Sequence, residues 1–294
     1  MKTVRKLTAM LLCLALMFAL AACGSFEQRM LKAATKMEKL ESYHMDADVE
    51  LCMNLSMMGR DMDMDMFFRT ATDLRRDPMQ VYSRMSAEML GESSEILTYV
   101  FAGEEEGSFD AYASLDGGES WGKKTLDAEE LKEELSLNSP LMWSSDFLRD
   151  AAKTFEEAGK EEINGSQATR YDGVIEGEAV GQALEASGVF NSMSEALPLD
   201  MSELLDQFSG TIPVSLWLDD RSGMLVRYDM DMTEAFASVW DAVMAEVMDT
   251  DIMSADDLAD LGMSMTLEKL SLSAVLSDFD AVGEIVLPES AKDA

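Results

Sequence analysis

Asp61, Asp63 and Asp65 alternate with Met62, Met64 and Met66 in the stretch "RDMDMDMFF", and "YDMDM" repeats the pattern in brief at Tyr228–Met232. Both side chains bind cations, so metal chemistry is the first possibility to weigh. The aspartates imitate the start of an EF-hand loop. Its sixth position is Met66, however, where the sharp turn needs Gly, and its twelfth is Thr72, where a bidentate Glu belongs. Thioethers suit copper(I), and at strand geometry Met62, Met64 and Met66 stand about 6.6 Å apart on one side. The same alternation sends the carboxylates to the opposite side, so the six groups cannot converge on one ion. Methionine also recurs along nearly every alternating segment, which is what core use requires. The reading is no metal site and no cofactor.

Other chemistries are limited by counting. Cys13 belongs to an apolar leader and Cys23 to its end, so Cys52 is the one free thiol of the mature chain. With a single His, His44, a zinc site of His/Cys type is excluded. His44 and Cys52 lie on one apparent strand about 26 Å apart, too far for a Cys–His pair. No G-x-S-x-G, P-loop, dinucleotide-binding glycine motif or H-E-x-x-H is present. Carboxylates are so numerous that pairs at glycosidase spacing arise by chance. No catalytic residue is assigned, and the chain is read as a non-enzyme.

Location is written in the first residues. Lys2, Arg5 and Lys6 precede the apolar run "LTAMLLCLALMFALAA", which is short and N-terminal as in an export signal. "LAAC", Leu20–Cys23, resembles the bacterial lipobox, and that resemblance implies cleavage before Cys23 and diacylglycerol on its sulfur. Residues 1–22 are then the signal peptide, 23–29 a short lipidated tether and 30–294 one folded domain. The partner so implied is the membrane itself, through an acyl anchor of palmitate type, on the extracytoplasmic face of the cell membrane. Loss of three basic residues with the leader takes the net charge from −34 to −37. Nucleic acid is excluded as a partner, because phosphate contacts need clustered Lys and Arg. Such a charge also disfavours lying flat on anionic lipid, and no protein partner is indicated.

The elements that position these residues follow from periodicity. A helical pattern covers Met30–Leu40, with Leu31, Ala34, Met37 (or Glu38) and Leu40 near one side. From Met45 the period becomes two: Met45, Ala47, Val49, Leu51, Met53, Leu55 and Met57 share one parity. Met62, Met64, Met66 and Phe68 repeat it in the next strand, and Met79, Val81, Met85, Ala87 and Met89 in a third. "EILTYVFA", "FDAYASL" and "SWGKKTL" give three shorter strands with brief turns, so neighbours are antiparallel. Asp127 is an N-cap for the following helix. Asn164-Gly165 marks a hairpin, and Asp220–Gly223 turns another in which Met224, Val226, Tyr228 and Met230 return on one side. Thr233 caps a further helix, and helical spacing also runs through 147–155 and, loosely, 178–208. A long last strand, Met263–Leu276, slips parity near Lys269, which predicts a β-bulge. Trp121, Trp143 and Trp240 are core or rim anchors, whereas Trp217 has the parity opposite to Leu216 and Leu218, so it is expected to face outward or to lie under a flanking helix.

Strands of 12 to 14 residues exceed the usual length and coil strongly. The predicted fold class is α+β: a curved antiparallel half-barrel with helices packed on its concave, apolar face.

The stretches "AATKMEKLESYHMDADVEL", "EINGSQATRYDGVIEG", "IPVSLWLDDRSGMLVRYDMDMT" and "DFDAVGEIVLPESA" resemble the LolA-like lipoproteins, which include LppX- and LprG-type carriers and many lipoproteins of Gram-positive bacteria. The resemblance spans nearly all the mature chain. It implies a half-barrel around a hydrophobic cavity that in some members holds lipid, and it carries over no active-site residue. The expected lining here is Leu51, Met53, Leu55, Met57, Met62, Met64, Met66, Phe68, Met85, Met89, Met230 and Met265. Methionine is unbranched and adaptable, well suited to an apolar ligand. Against carriage of lipid stands a second function class, an envelope interaction protein whose core is filled and whose acidic surface meets a protein.

Overall fold

A computed structural model of the chain describes residues 26–57, 60–89, 91–105, 107–131, 154–176, 211–237, 264–292 and 294. It begins with helix α1, Phe26–Met37, followed by strands β1 (Ser42–Met57), β2 (Arg60–Arg76), β3 (Met79–Met89), β4 (Glu92–Ala102), β5 (Phe109–Ser114) and β6 (Gly122–Leu126). Then come β7 (Glu156–Ile163), β8 (Ser166–Glu176), β9 (Thr211–Asp219), β10 (Leu225–Asp231), β11 (Ser264–Ser277) and the 3-10 turn η1 (Glu289–Ala291). All eleven strands join one sheet in the order β6-β5-β4-β3-β2-β1-β11-β10-β9-β8-β7. Every pairing is antiparallel. The sheet is open, curved and unclosed, as predicted.

Its spine is the trio of long central strands. β1 and β2 run 16 and 17 residues and pair without a slip from Ser42↔Arg75 to Met57↔Arg60. Register is fixed because a one-residue shift would turn every methionine out to water. The predicted bulge lies in β11: Cys52 pairs with Lys269 and Met53 with Leu267, leaving Glu268 as the extra residue. Leu267 and Leu270 thereby both reach the core. Asn164 and Gly165 close the β7–β8 hairpin with φ of 51° and 75°, the left-handed pair that a tight two-residue turn needs.

The core lies on one face and is continuous from Met30 and Met37 of α1 through Tyr43, Met45, Leu216, Tyr228 and Leu276. The buried stripe of α1 is Met30, Ala33 and Met37, with Leu40 after it; of the predicted side, Met37 and Leu40 are buried and Ala34 packs against the core, while Leu31 is only half-buried at its margin. The helix also begins at Phe26, inside the stretch read as tether, because Phe26 stacks on Phe155 (4.8 Å) and packs at a tilt against Tyr171 (4.7 Å). Gly173 makes room for this: a Cβ there would stand 2.5 Å from the Phe155 ring. Asp127 caps as predicted, accepting from the N–H groups of Glu129 and Glu130 while Glu130 accepts from the Asp127 N–H, a reciprocal capping box.

One reading is corrected. Val226 does not share a face with Met224, Tyr228 and Met230; a register shift between Leu225 and Arg227 places it with Trp217 on the other side of the sheet. The Thr233 N–H donates to Asp231 Oδ1 at 3.0 Å, while its hydroxyl accepts from the Leu270 N–H at 3.0 Å and so ties 233–237 to β11. The predicted helices across 132–153, 178–208 and 238–247 lie outside the described residues.

Candidate functional site

Residues directly opposite across a ladder share a face, so the register assembles the predicted lining into rows. One row runs Met265–Leu55–Met62 and the next Leu267–Met53–Met64. A third runs Leu270–Leu51–Met66–Met89, and a fourth Met230–Leu272–Val49–Phe68–Ala87. Met85 stands in the fifth, opposite Thr70. Residues scattered over 215 positions of sequence are thus gathered on one side of five adjacent strands.

Their burial is graded. Met53 and Met230 are buried in the core, Met64, Met66 and Leu51 pack against it in part, and Leu55, Phe68 and Met85 are half-buried. Met62, next to the β1–β2 turn, is 48% exposed. Met57, Met89 and Met265 occupy the expected register, while their side chains lie outside the described residues. Among the described residues, burial along this apolar face thus falls off toward the tip of β1–β2 while the alternating pattern continues.

The opposite face is polar along these strands. Asp61, Asp63 and Asp65 are exposed, and Asn54 donates to Asp63 at 2.8 Å. Cys52 sits here beside Glu50 and Asp65. Burial, then a hydrogen bond and the charge of Asp65, push its thiol up to about 11, so little thiolate is available at neutral pH. His44 lies between Asp73 (2.7 Å) and Asp46 (3.2 Å). Burial pulls its pKa down, but the two carboxylates more than offset this and the net shift is upward. A groove of about 360 Å³ on this face runs between Asp48, Ser215, Asp229, Lys269 and Ser273. Among the described residues no cluster of three His, Cys, Asp or Glu is placed to hold a metal ion.

Two further features lie on the outer face. Trp217 is on this side, as its parity predicts, and is 2% exposed, held between the guanidinium groups of Arg227 (4.7 Å) and Arg170 (5.2 Å). Its opposite parity was the available signal; the arginines became visible only through the register Arg170↔Trp217↔Arg227. Farther along, Tyr82, Tyr99, Phe101, Tyr112 and Trp121 form a half-buried aromatic strip with ring centroids 4.8–6.4 Å apart. The chain after β11 straps across this side: the Ile285 N–H donates to Gln80 Oε1 and Trp121 Nε1 to Ser290 Oγ.

Comparison with known proteins gives likeness at the level of fold. Residues 25–129 match the model of a family of unknown function, DUF6612. No curated protein matches the chain. Among solved structures, the chain is similar to the lipoprotein LppX of Mycobacterium tuberculosis, at 11% identity over 89% of this chain and 98% of that one, with a TM-score of 0.42. LprF of Mycobacterium bovis gives 14% identity over 91% and 100%, with a TM-score of 0.43. A β-barrel-like protein with a DUF1849 domain from Brucella abortus gives 11% over 81% and 96%, at 0.23. At these TM-scores, function has to be argued from this chain's own residues.

Proposed function

We propose that this chain is a cell-envelope lipoprotein, anchored through acyl chains on Cys23 at the extracytoplasmic face of the cell membrane, that binds or carries an apolar ligand such as lipid. The ligand site is the methionine-bearing face toward the tip of β1 and β2, and the role is non-catalytic. The supporting observation is the graded burial from Met53 (8% exposed) to Met62 (48% exposed) on one unbroken apolar face. A closed core alone has no use for apolar alternation past its edge, whereas an acyl chain laid along Leu55, Met62, Met64 and Met66 would cover it. Flexible thioether side chains can mould to such a chain without a fixed shape. Burial of about 25 cal/mol per Å² of apolar surface makes even part of an acyl chain a worthwhile ligand.

The test is native mass spectrometry of the protein purified from its own host without detergent exchange. Co-purifying lipid, together with saturable uptake of a fluorescent fatty acid, is the expected result. Neither lipid nor uptake would sink carriage and leave the filled-core interaction protein.

A further inference from the structure

We infer that α1 is the membrane-facing element, held with its basic side against anionic lipid headgroups while the acidic outer face of the sheet points away. This rests on the anchor at Cys23. Three residues, Cys23, Gly24 and Ser25, precede Phe26, so the start of α1 lies within about 11 Å of the lipidated residue. Phe26 does not swing free, because its ring is stacked on Phe155 and packed at a tilt against Tyr171. A tether this short and a helix start this firmly seated leave the folded unit little choice of which surface meets the bilayer.

Charge points the same way. Residues 26–39 carry Arg29, Lys32, Lys36 and Lys39 against Glu27 and Glu38, a net +2, whereas the rest of the mature chain carries −39. At 100° per residue the four basic positions fall within about 80° of arc, beside the buried Met30/Ala33/Met37 stripe, and the two acids fall on the far side of the helix. Among the described residues none of the four forms an ion pair within 4 Å, in a protein with 57 carboxylate side chains. Arg29 instead donates to the Tyr171 hydroxyl and Lys36 to the Ser222 carbonyl, and Lys32 and Lys39 are exposed. Headgroup phosphates are the complementary partner, since a basic residue at an anionic leaflet gains about 1 kcal/mol. The acidic rows of β1 and β2 lie on the opposite side of the sheet from α1, where repulsion from the same leaflet is least. Net charge disfavours flat contact for the molecule as a whole; the local stripe selects the one orientation that permits it.

The experiment uses lipidated full-length protein in vesicles, with one reporter cysteine at a time in a Cys52→Ser background. Thr35→Cys, on exposed α1, and Asp48→Cys, on the outer face, each carry a fluorophore, and headgroup-labelled nitroxide lipid is the quencher. Quenching at Thr35→Cys at least about twofold stronger than at Asp48→Cys is expected in vesicles with 30% phosphatidylglycerol. The ratio should shrink in pure phosphatidylcholine, in high salt, and in a Lys32→Glu/Lys39→Glu variant, which changes only exposed side chains. Equal or reversed quenching, or a ratio unmoved by lipid charge and by the variant, overturns the orientation while leaving the anchor intact. Failure of the protein to enter vesicles at all overturns the anchor, and the inference with it.

Discussion

The root and the tip of the β1–β2 hairpin share one alternating pattern and differ in what covers it. At the root, Tyr43, Met45, Leu74, Val81 and Leu276 are between 0 and 9% exposed, and the polar pair Thr72 and Ser83 is buried with its hydroxyls 3.2 Å apart. At the tip, Met64 and Met66 are half-buried and Met62 is about half exposed. Under the proposed function the two ends of the same strands serve different purposes: the root holds the fold together, and the tip offers its apolar surface to a ligand. The difference teaches that parity sets which face is apolar, whereas packing from other elements sets how much of it is spent on the core.

The comparison can be broken most forcefully at the root. Leu276→Ala removes a fully buried side chain facing Met45 and should cost about 2–5 kcal/mol, read as a lower urea midpoint. Fatty-acid affinity of the fraction that remains folded should be unchanged. Met64→Asp does the reverse. It should weaken fatty-acid binding about tenfold, or about 1.4 kcal/mol, while the urea midpoint moves much less than in Leu276→Ala. Equal effects of the two variants on both measurements would erase the distinction between root and tip.

A subtler probe of the root is pH. His44 has a raised pKa in the folded protein, with Asp73 and Asp46 beside it, Ser277 opposite on β11 and Tyr82 next to Asp73 on β3. Protonation is therefore favoured by folding. Its stabilising contribution is full below the unfolded value of about 6.5 and is lost as pH rises through the higher folded value. Urea midpoints from pH 6 to pH 9 should show this decline, and His44→Gln should flatten that part of it. The smallest effect is expected at the outer tip: Asp61→Asn touches an exposed carboxylate and should move stability by no more than about 0.5 kcal/mol, with ligand uptake unaltered.

Much of this architecture was legible before any coordinates. Strict alternation from Met45 to Phe68 specifies both strands and their faces, the parity slip at Lys269 specifies the bulge, and Asn164-Gly165 specifies its hairpin. These signals are local, so one sequence carries them. Val226 was misplaced because a register shift in β10 is decided by the partner strand, where Trp217 needs apolar cover between two arginines. The tie from the Leu270 N–H to the Thr233 hydroxyl spans 37 residues, so no local pattern announces it. On α1 the side bearing Met37, Leu40 and Ala34 was legible, but the early helix start was not, because nothing near Phe26 announces the rings of Phe155 and Tyr171 that it packs on. At the candidate site, the lining residues could be chosen from parity, but the gradient from Met53 to Met62 depends on how far neighbouring elements reach.

The central claim, that the tip of this face receives an apolar ligand, is tested most directly by photo-crosslinking. A diazirine-bearing fatty acid is bound to the folded protein, irradiated, and the adducts are mapped by peptide mass spectrometry. The account predicts adducts concentrated in the peptide containing Met62, Met64 and Met66, suppressed by Met64→Asp and by excess unlabelled fatty acid. Adducts spread evenly over the surface, or confined to the aromatic strip of β3–β5, would contradict it.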